Sequence, residues 1–115
     1  MDFKPFTEKR PWGEFRQYTD GGEPVTVKTI LVNRGERLSL QFHHKREEFW
    51  TVLSGSPELV IGEETISAKA GDEFTIAPEV KHRISAPNDT VTILEISYGE
   101  FDENDIVRLE DNYGR

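Results

Sequence analysis

The stretch Gly35-Glu36-Arg37-Leu38-Ser39-Leu40-Gln41-Phe42-His43-His44-Lys45-Arg46-Glu47-Glu48-Phe49-Trp50-Thr51-Val52-Leu53-Ser54-Gly55 decides how this chain is read. Leu38, Leu40 and Phe42 alternate with Ser39, Gln41 and His43, the period-two pattern of a strand. Phe49 to Leu53 forms a second run, and a glycine stands at each end. Successive side chains on a strand point to opposite faces, so Gln41 and His43 share one face and His44 takes the other. Lys45 joins Gln41 and His43 if the strand persists that far. Glu48 opens the next strand, with Trp50 and Val52 in its phase.

The same alternation continues outward. Glu14 to Tyr18, Val25 to Val32, Glu58 to Gly62, Thr65 to Ala68, Glu73 to Ile76, Lys81 to Ser85 and Thr90 to Tyr98 read as strands. Asp20-Gly21-Gly22, Glu63-Glu64, Gly71-Asp72 and Pro87-Asn88-Asp89 break them as turns. Only the tail, Glu103 to Leu109, has a pattern compatible with a short helix. Short strands at turn spacings of about ten residues predict an all-β sandwich or small barrel. With 115 residues, no internal repeat and no linker, residues 1–115 are expected to form one domain.

Composition narrows the function classes. The chain has 14 Lys+Arg against 22 Asp+Glu, a net charge of −8, so broad nucleic-acid or anionic-membrane binding is not expected. The charge is uneven, however. Residues 100–115 hold six acids and two bases, whereas residues 34–46 hold four bases and one acid. A small anion held locally is therefore compatible with the acidic total. Cysteine is absent, which removes disulfides, thiolate zinc sites and thiol nucleophiles, and permits a reducing compartment. The N-terminus lacks an apolar signal segment and no apolar run approaches membrane-spanning length, so a cytoplasmic, soluble protein is the expectation.

The three histidines are His43, His44 and His82, the last on a distant strand. Gln41, His43, Glu48 and His82 together offer two imidazoles, a carboxylate and an amide oxygen. That mixture suits zinc, manganese, iron, cobalt or nickel better than calcium or magnesium. A histidine pair on a strand is more often a surface or satisfied core feature than a ligand pair, so spacing alone leaves both readings open.

The register of the glycines adds a resemblance. Gly35, five residues, Gln41-x-His43, four residues, Glu48, six residues and Gly55 resembles the first cupin motif, with Gln41 at the position of its usual first histidine. Gly71, five residues, Ala77 and then His82 resembles the second, with Ala77, Glu79 and Ala86 in place of proline, glycine and asparagine. More narrowly, RPWGEF from Arg10, the block quoted above, and DIVRLEDNYGR from Asp105 resemble the type II phosphomannose isomerase family. This is the cupin half of bifunctional mannose-1-phosphate guanylyltransferase/mannose-6-phosphate isomerase enzymes, and the resemblance runs from about Arg10 to Arg115. Gln-x-His also resembles the ligand pair of zinc-dependent type I isomerases. The chain departs from the family at Lys45 and Phe49, where histidines are usual, and at Ala77-Pro78-Glu79, where a Pro-Ala-Gly run is usual. No Gly-rich nucleotide loop precedes Arg10, so guanylyl transfer is not expected of these residues.

The resemblance implies a cupin, or double-stranded β-helix (a small jelly-roll barrel), with a short C-terminal helix or tail. It implies one divalent metal, zinc first, on Gln41, His43, Glu48 and His82. The implied reaction interconverts mannose 6-phosphate and fructose 6-phosphate through an enediol, with Glu48 at the catalytic centre and Lys45 a candidate base. Arg37, Arg46, Lys81 and Arg83 are the candidate phosphate ligands, although each alone also reads as a solvated strand-edge charge. Arg108 and Arg115 belong to the family-like tail and are candidates to fold over the mouth. Trp12 reads as a plug or a sugar platform, Trp50 and Phe74 as core or pocket wall, and Glu95 as a partner of a ligand histidine or a solvent-facing acid. The expected partner is a small sugar phosphate, with no nucleic acid or membrane, in a homodimer. The competing readings are a non-catalytic cupin that binds metal and sugar phosphate, and a cupin oxygenase or decarboxylase.

Overall fold

Alternating β-branched and aromatic residues become eleven strands among the residues described by the computed structural model, which are 4–20, 24–99 and 104–111. They are β1 (Phe6–Arg10), β2 (Gly13–Gln17), β3 (Val25–Val32), β4 (Leu40–Phe42), β5 (Arg46–Ser54) and β6 (Glu58–Ile61), followed by β7 (Glu64–Ser67), β8 (Glu73–Ile76), β9 (His82–Ser85), β10 (Val91–Gly99) and β11 (Val107–Glu110). A six-stranded sheet runs β1-β2-β3-β10-β5-β8, and a five-stranded sheet runs β11-β4-β9-β6-β7. Every pairing is antiparallel.

The inward phase of the large sheet changes character along the strands. The row Val52–Ile93–Ile30–Phe15 is apolar across β5, β10, β3 and β2. One step along lies Trp50–Glu95–Lys28–Gln17, and beyond it Glu48–Ser97–Thr26. One end of the interior is therefore a hydrocarbon core and the other a polar site. Trp50, Leu59, Ile76, Ile84, Ile93, Val32, Val52 and Val91 are the large apolar side chains at 2% exposure or less. Each contributes roughly 1.5–3 kcal/mol of burial, which anchors the walls of the site.

Two turn positions show the backbone demands. Gly55 has φ +85°, and a Cβ there would lie 2.5 Å from the Thr90 carbonyl oxygen, so the glycine ending the first motif is required by contact as well as conformation. Glu79 adopts φ 68° although it is not glycine. The second motif usually has glycine at this position, and Glu79 takes the conformation without the usual residue.

The tail differs from the helix expected. Residue 103 lies outside the described residues, but Val107–Glu110 is strand β11, paired with β4 through Val107↔Phe42 and Arg108↔Gln41. The local pattern lost to tertiary pairing, because β4 offers an open edge and Arg83 holds Glu110 against it. Strand β1 was also not anticipated, since FTEKR lacks apolar alternation and forms by pairing with β2. The turn expected at Asp20-Gly21-Gly22 falls largely outside the described residues.

Candidate metal centre

Three side chains from different parts of the chain converge between the sheets. His43 lies just beyond the end of β4, Glu48 is on β5 and His82 begins β9. All three are at least 95% buried. Their ligand atoms lie within 4.8 Å of one another. His43 Nε2 is 3.2 Å from Glu48 Oε2, and His82 Nε2 is 3.7 Å from Glu48 Oε1.

Each ring is aimed from behind. His43 Nδ1–H donates to the Asp105 carbonyl at 2.6 Å, and His82 Nδ1–H donates to the Val80 carbonyl at 3.0 Å. These bonds set the tautomer that leaves both Nε2 atoms unprotonated, on the Glu48 side of their rings. The Trp50 indole N–H donates to Glu48 Oε1 at 3.1 Å, whereas Glu48 Oε2 is buried without a hydrogen-bond partner among the described residues. Two fixed imidazoles and a carboxylate with an unsatisfied oxygen fit a divalent ion with nitrogen and oxygen ligands.

The electrostatics agree with that donor set. Burial pushes the Glu48 carboxyl up, but the His43 ring beside it and the neighbouring His82 and Arg46 outweigh burial and hold it well below the usual carboxylate range. Burial holds His82 below the usual histidine range despite Glu48, which favours the neutral ligand form. Glu95 sits in the adjacent strand, in hydrogen-bond contact with Glu48. Burial first, and then the Glu48 charge, push the Glu95 carboxyl up. Two carboxyls side by side are thus driven apart in proton affinity.

The site opens into a cavity of about 320 Å³. Gln41, the fourth expected ligand, lines it and stands in register with His82. Its amide NH2 donates to Ser39 Oγ at 3.0 Å, which leaves the carbonyl oxygen as the atom it could offer to a metal. Arg46 lines the cavity as expected and donates to His43 Nε2 at 3.0 Å. Arg83 also lines it, and its guanidinium donates to Leu38 and Glu110, so it braces β11.

Three expectations are corrected. Lys45 is exposed and does not line the cavity, because β4 ends at Phe42 and the phase that would have brought it inward ends there. Arg37 and Lys81 also stay outside, in partly exposed ion pairs with Glu110 and Glu63. Arg10 and Lys28 line the cavity in their stead, and Arg108 faces it from β11. Arg115 lies outside the described residues. Trp12 is 5% exposed in the core and also borders the cavity. Glu95 faces inward; the readable signal was an acid in the buried phase of an otherwise apolar strand.

Xanthan biosynthesis protein XanB of Xanthomonas campestris pv. campestris is 41% identical over 108 residues, 92% of this chain and 23% of that protein. Mannose-1-phosphate guanylyltransferase 2 of Escherichia coli O157:H7 is 37% identical over 106 residues, 90% of this chain and 22% of that protein. The chain thus spans less than a quarter of the length of these relatives. Among solved structures, a Streptomyces PAC13 variant with uridine superposes with a TM-score of 0.79 at 18% identity, covering 93% of this chain and 86% of that one. A cupin protein from Bacteroides fragilis superposes with a TM-score of 0.61 at 30% identity, covering 67% of each chain. The fold is that of the cupins. Residues 4–111 match the family described as Mannose-6-phosphate isomerase C-terminal, and the chain belongs to that family.

Proposed function

We propose that this domain is a metal-dependent sugar-phosphate isomerase interconverting mannose 6-phosphate and fructose 6-phosphate. The observation that carries this reading is the convergence of His43, Glu48 and His82 at a cavity lined by cationic side chains, in a member of this family. Zinc is the first ion to test, followed by manganese, iron, cobalt and nickel.

A divalent ion held by His43, Glu48, His82 and the Gln41 carbonyl oxygen would supply Lewis acidity toward the oxygens on C1 and C2 of the sugar. The chain's own residues supply the rest. Asp105 and Val80 hold the two imidazoles in one orientation through their carbonyls. Glu95, a buried carboxyl on the cavity wall beside Glu48, would carry the proton between C2 and C1. Trp50, Ile30 and Ile84 line the same cavity and keep water from the enediol.

The test is a coupled assay of the metal-reconstituted protein with mannose 6-phosphate, alongside Glu95→Gln. Turnover by the wild type, lost in Glu95→Gln with metal content unchanged, is the expected result. No turnover from a folded, fully metal-loaded wild type overturns the reading.

A further inference from the structure

The six-stranded sheet carries apolar side chains on its outer face as well as its inner one. Facing away from the core are Val27 and Leu31 of β3, Leu94 and Ile96 of β10, and Phe49 and Leu53 of β5. The register sets Val27, Ile96 and Phe49 side by side in one row. Leu53 and, at the end of β10, Tyr98 are 47% and 46% exposed. An antiparallel sheet with one face in water normally turns polar residues outward, and a contiguous apolar patch marks a surface that another molecule covers.

The charges on the same face show what that molecule is. The row beside Val27–Ile96–Phe49 runs Arg16–Thr29–Leu94–Thr51–Glu73 across β2, β3, β10, β5 and β8. It has a cation at one end, an acid at the other and leucine at its centre. Arg16 and Glu73 are both exposed, and neither makes an ion pair among the described residues. Arg16 donates to Thr7 Oγ1 at 3.0 Å, and Glu73 accepts from Thr51 Oγ1 at 3.4 Å.

We propose that this face packs against a second copy of the chain about a two-fold axis parallel to β10 at Leu94. Strands β2 and β8 each lie two strands from β10, on opposite sides. The rotation therefore lays Arg16 of each copy over Glu73 of the other, Thr29 over Thr51, and Leu94 over Leu94. An isologous contact makes each such pair twice, so one row supplies two ion pairs around an apolar centre. Aligned sheets pack about 10 Å apart, a gap that interdigitating aliphatic side chains fill and Arg and Glu side chains span. Five strands about 4.8 Å apart, three of them eight or nine residues long, give a footprint of the order of 600 Å² per copy. Side-chain relief brings this close to the about 800 Å² that each partner of a stable complex buries. The inference is independent of the metal centre and of the isomerase reading.

Sedimentation equilibrium of the full chain tests it. The wild type is expected at twice the chain mass at micromolar concentration. Leu94→Glu sets two carboxylates against each other at the centre and should give a monomer with an unchanged circular dichroism spectrum. Arg16→Glu and Glu73→Arg, both at exposed positions, should each raise the dimer dissociation constant at least about fivefold by opposing like charges. The double variant Arg16→Glu/Glu73→Arg should return to within about twofold of wild type. A wild type that stays monomeric throughout the micromolar range overturns the proposal and leaves the face to a different occupant. A dimer that both Leu94→Glu and the single charge variants leave intact overturns it as well. A double variant no tighter than the single ones overturns the Arg16–Glu73 register.

Discussion

His43 and Asp105, separated by 62 positions in sequence, are joined by a 2.6 Å hydrogen bond from the imidazole Nδ1–H to the backbone carbonyl. The Asp105 carboxylate also accepts from the backbone N–H groups of His44 and Lys45, each at 3.0 Å. The C-terminal segment therefore sets the orientation of a candidate metal ligand and closes the turn that carries it. Arg83 and Glu110 fasten the far end of the same segment.

His43→Ala and His82→Ala each remove one fixed nitrogen donor. Loss of even a supporting residue around a metal typically costs about 10–100-fold in affinity, and loss of a ligand should cost more. Metal analysis of the purified variants checks this. Full occupancy in either one would sink the ligand assignment.

Trp50→Phe keeps most of the buried ring but deletes the indole N–H that Glu48 Oε1 accepts. Metal affinity should fall by about 10-fold or more, with the fold intact by circular dichroism. An unchanged affinity would show that Glu48 needs no such support.

Glu79→Gly relieves a non-glycine residue at φ 68°. The left-handed conformation costs roughly 1–2 kcal/mol for a side-chain-bearing residue, partly offset by the greater freedom of glycine in the unfolded chain. A gain of about 1 kcal/mol is expected in chemical denaturation. The Glu79 N–H, which donates to the His43 carbonyl at 2.6 Å, is retained in the variant.

Acid should loosen the C-terminal segment. Burial works to raise the Asp105 carboxyl, but the His44 and Lys45 N–H groups hold it below its ordinary 3.8. The hydrogen bond from Arg83, and then its charge, hold Glu110 below its ordinary 4.5. Both folded values are depressed, so the stabilisation is present above the ordinary values and is lost as pH falls through the folded ones. Thermal midpoints between pH 6 and pH 3 should fall more steeply for wild type than for the Asp105→Asn/Glu110→Gln double variant. Parallel curves would contradict this assignment.

Much of the fold was legible because strand signals are local: β3 and β8 match the expected Val25–Val32 and Glu73–Ile76. His43 and Glu48, two members of the candidate triad, were legible through their register between two glycines. What stayed hidden depends on contacts distant in sequence. Arg10 and Lys28 are single charges on separate strands, and only the β1-β2-β3 pairing brings them to one ring. Lys45 was misplaced because nothing local shows β4 ending at Phe42. Arg37 and Lys81 were misread because their acidic partners, Glu110 and Glu63, lie outside the motifs that suggested them.

The most direct measurement follows mannose 6-phosphate by NMR in the presence of the metal-reconstituted protein, with His82→Ala alongside. Formation of fructose 6-phosphate by the wild type, dependent on added metal and absent in His82→Ala, is the predicted result. Mannose 6-phosphate left unchanged by a folded, fully metal-occupied wild type would contradict it.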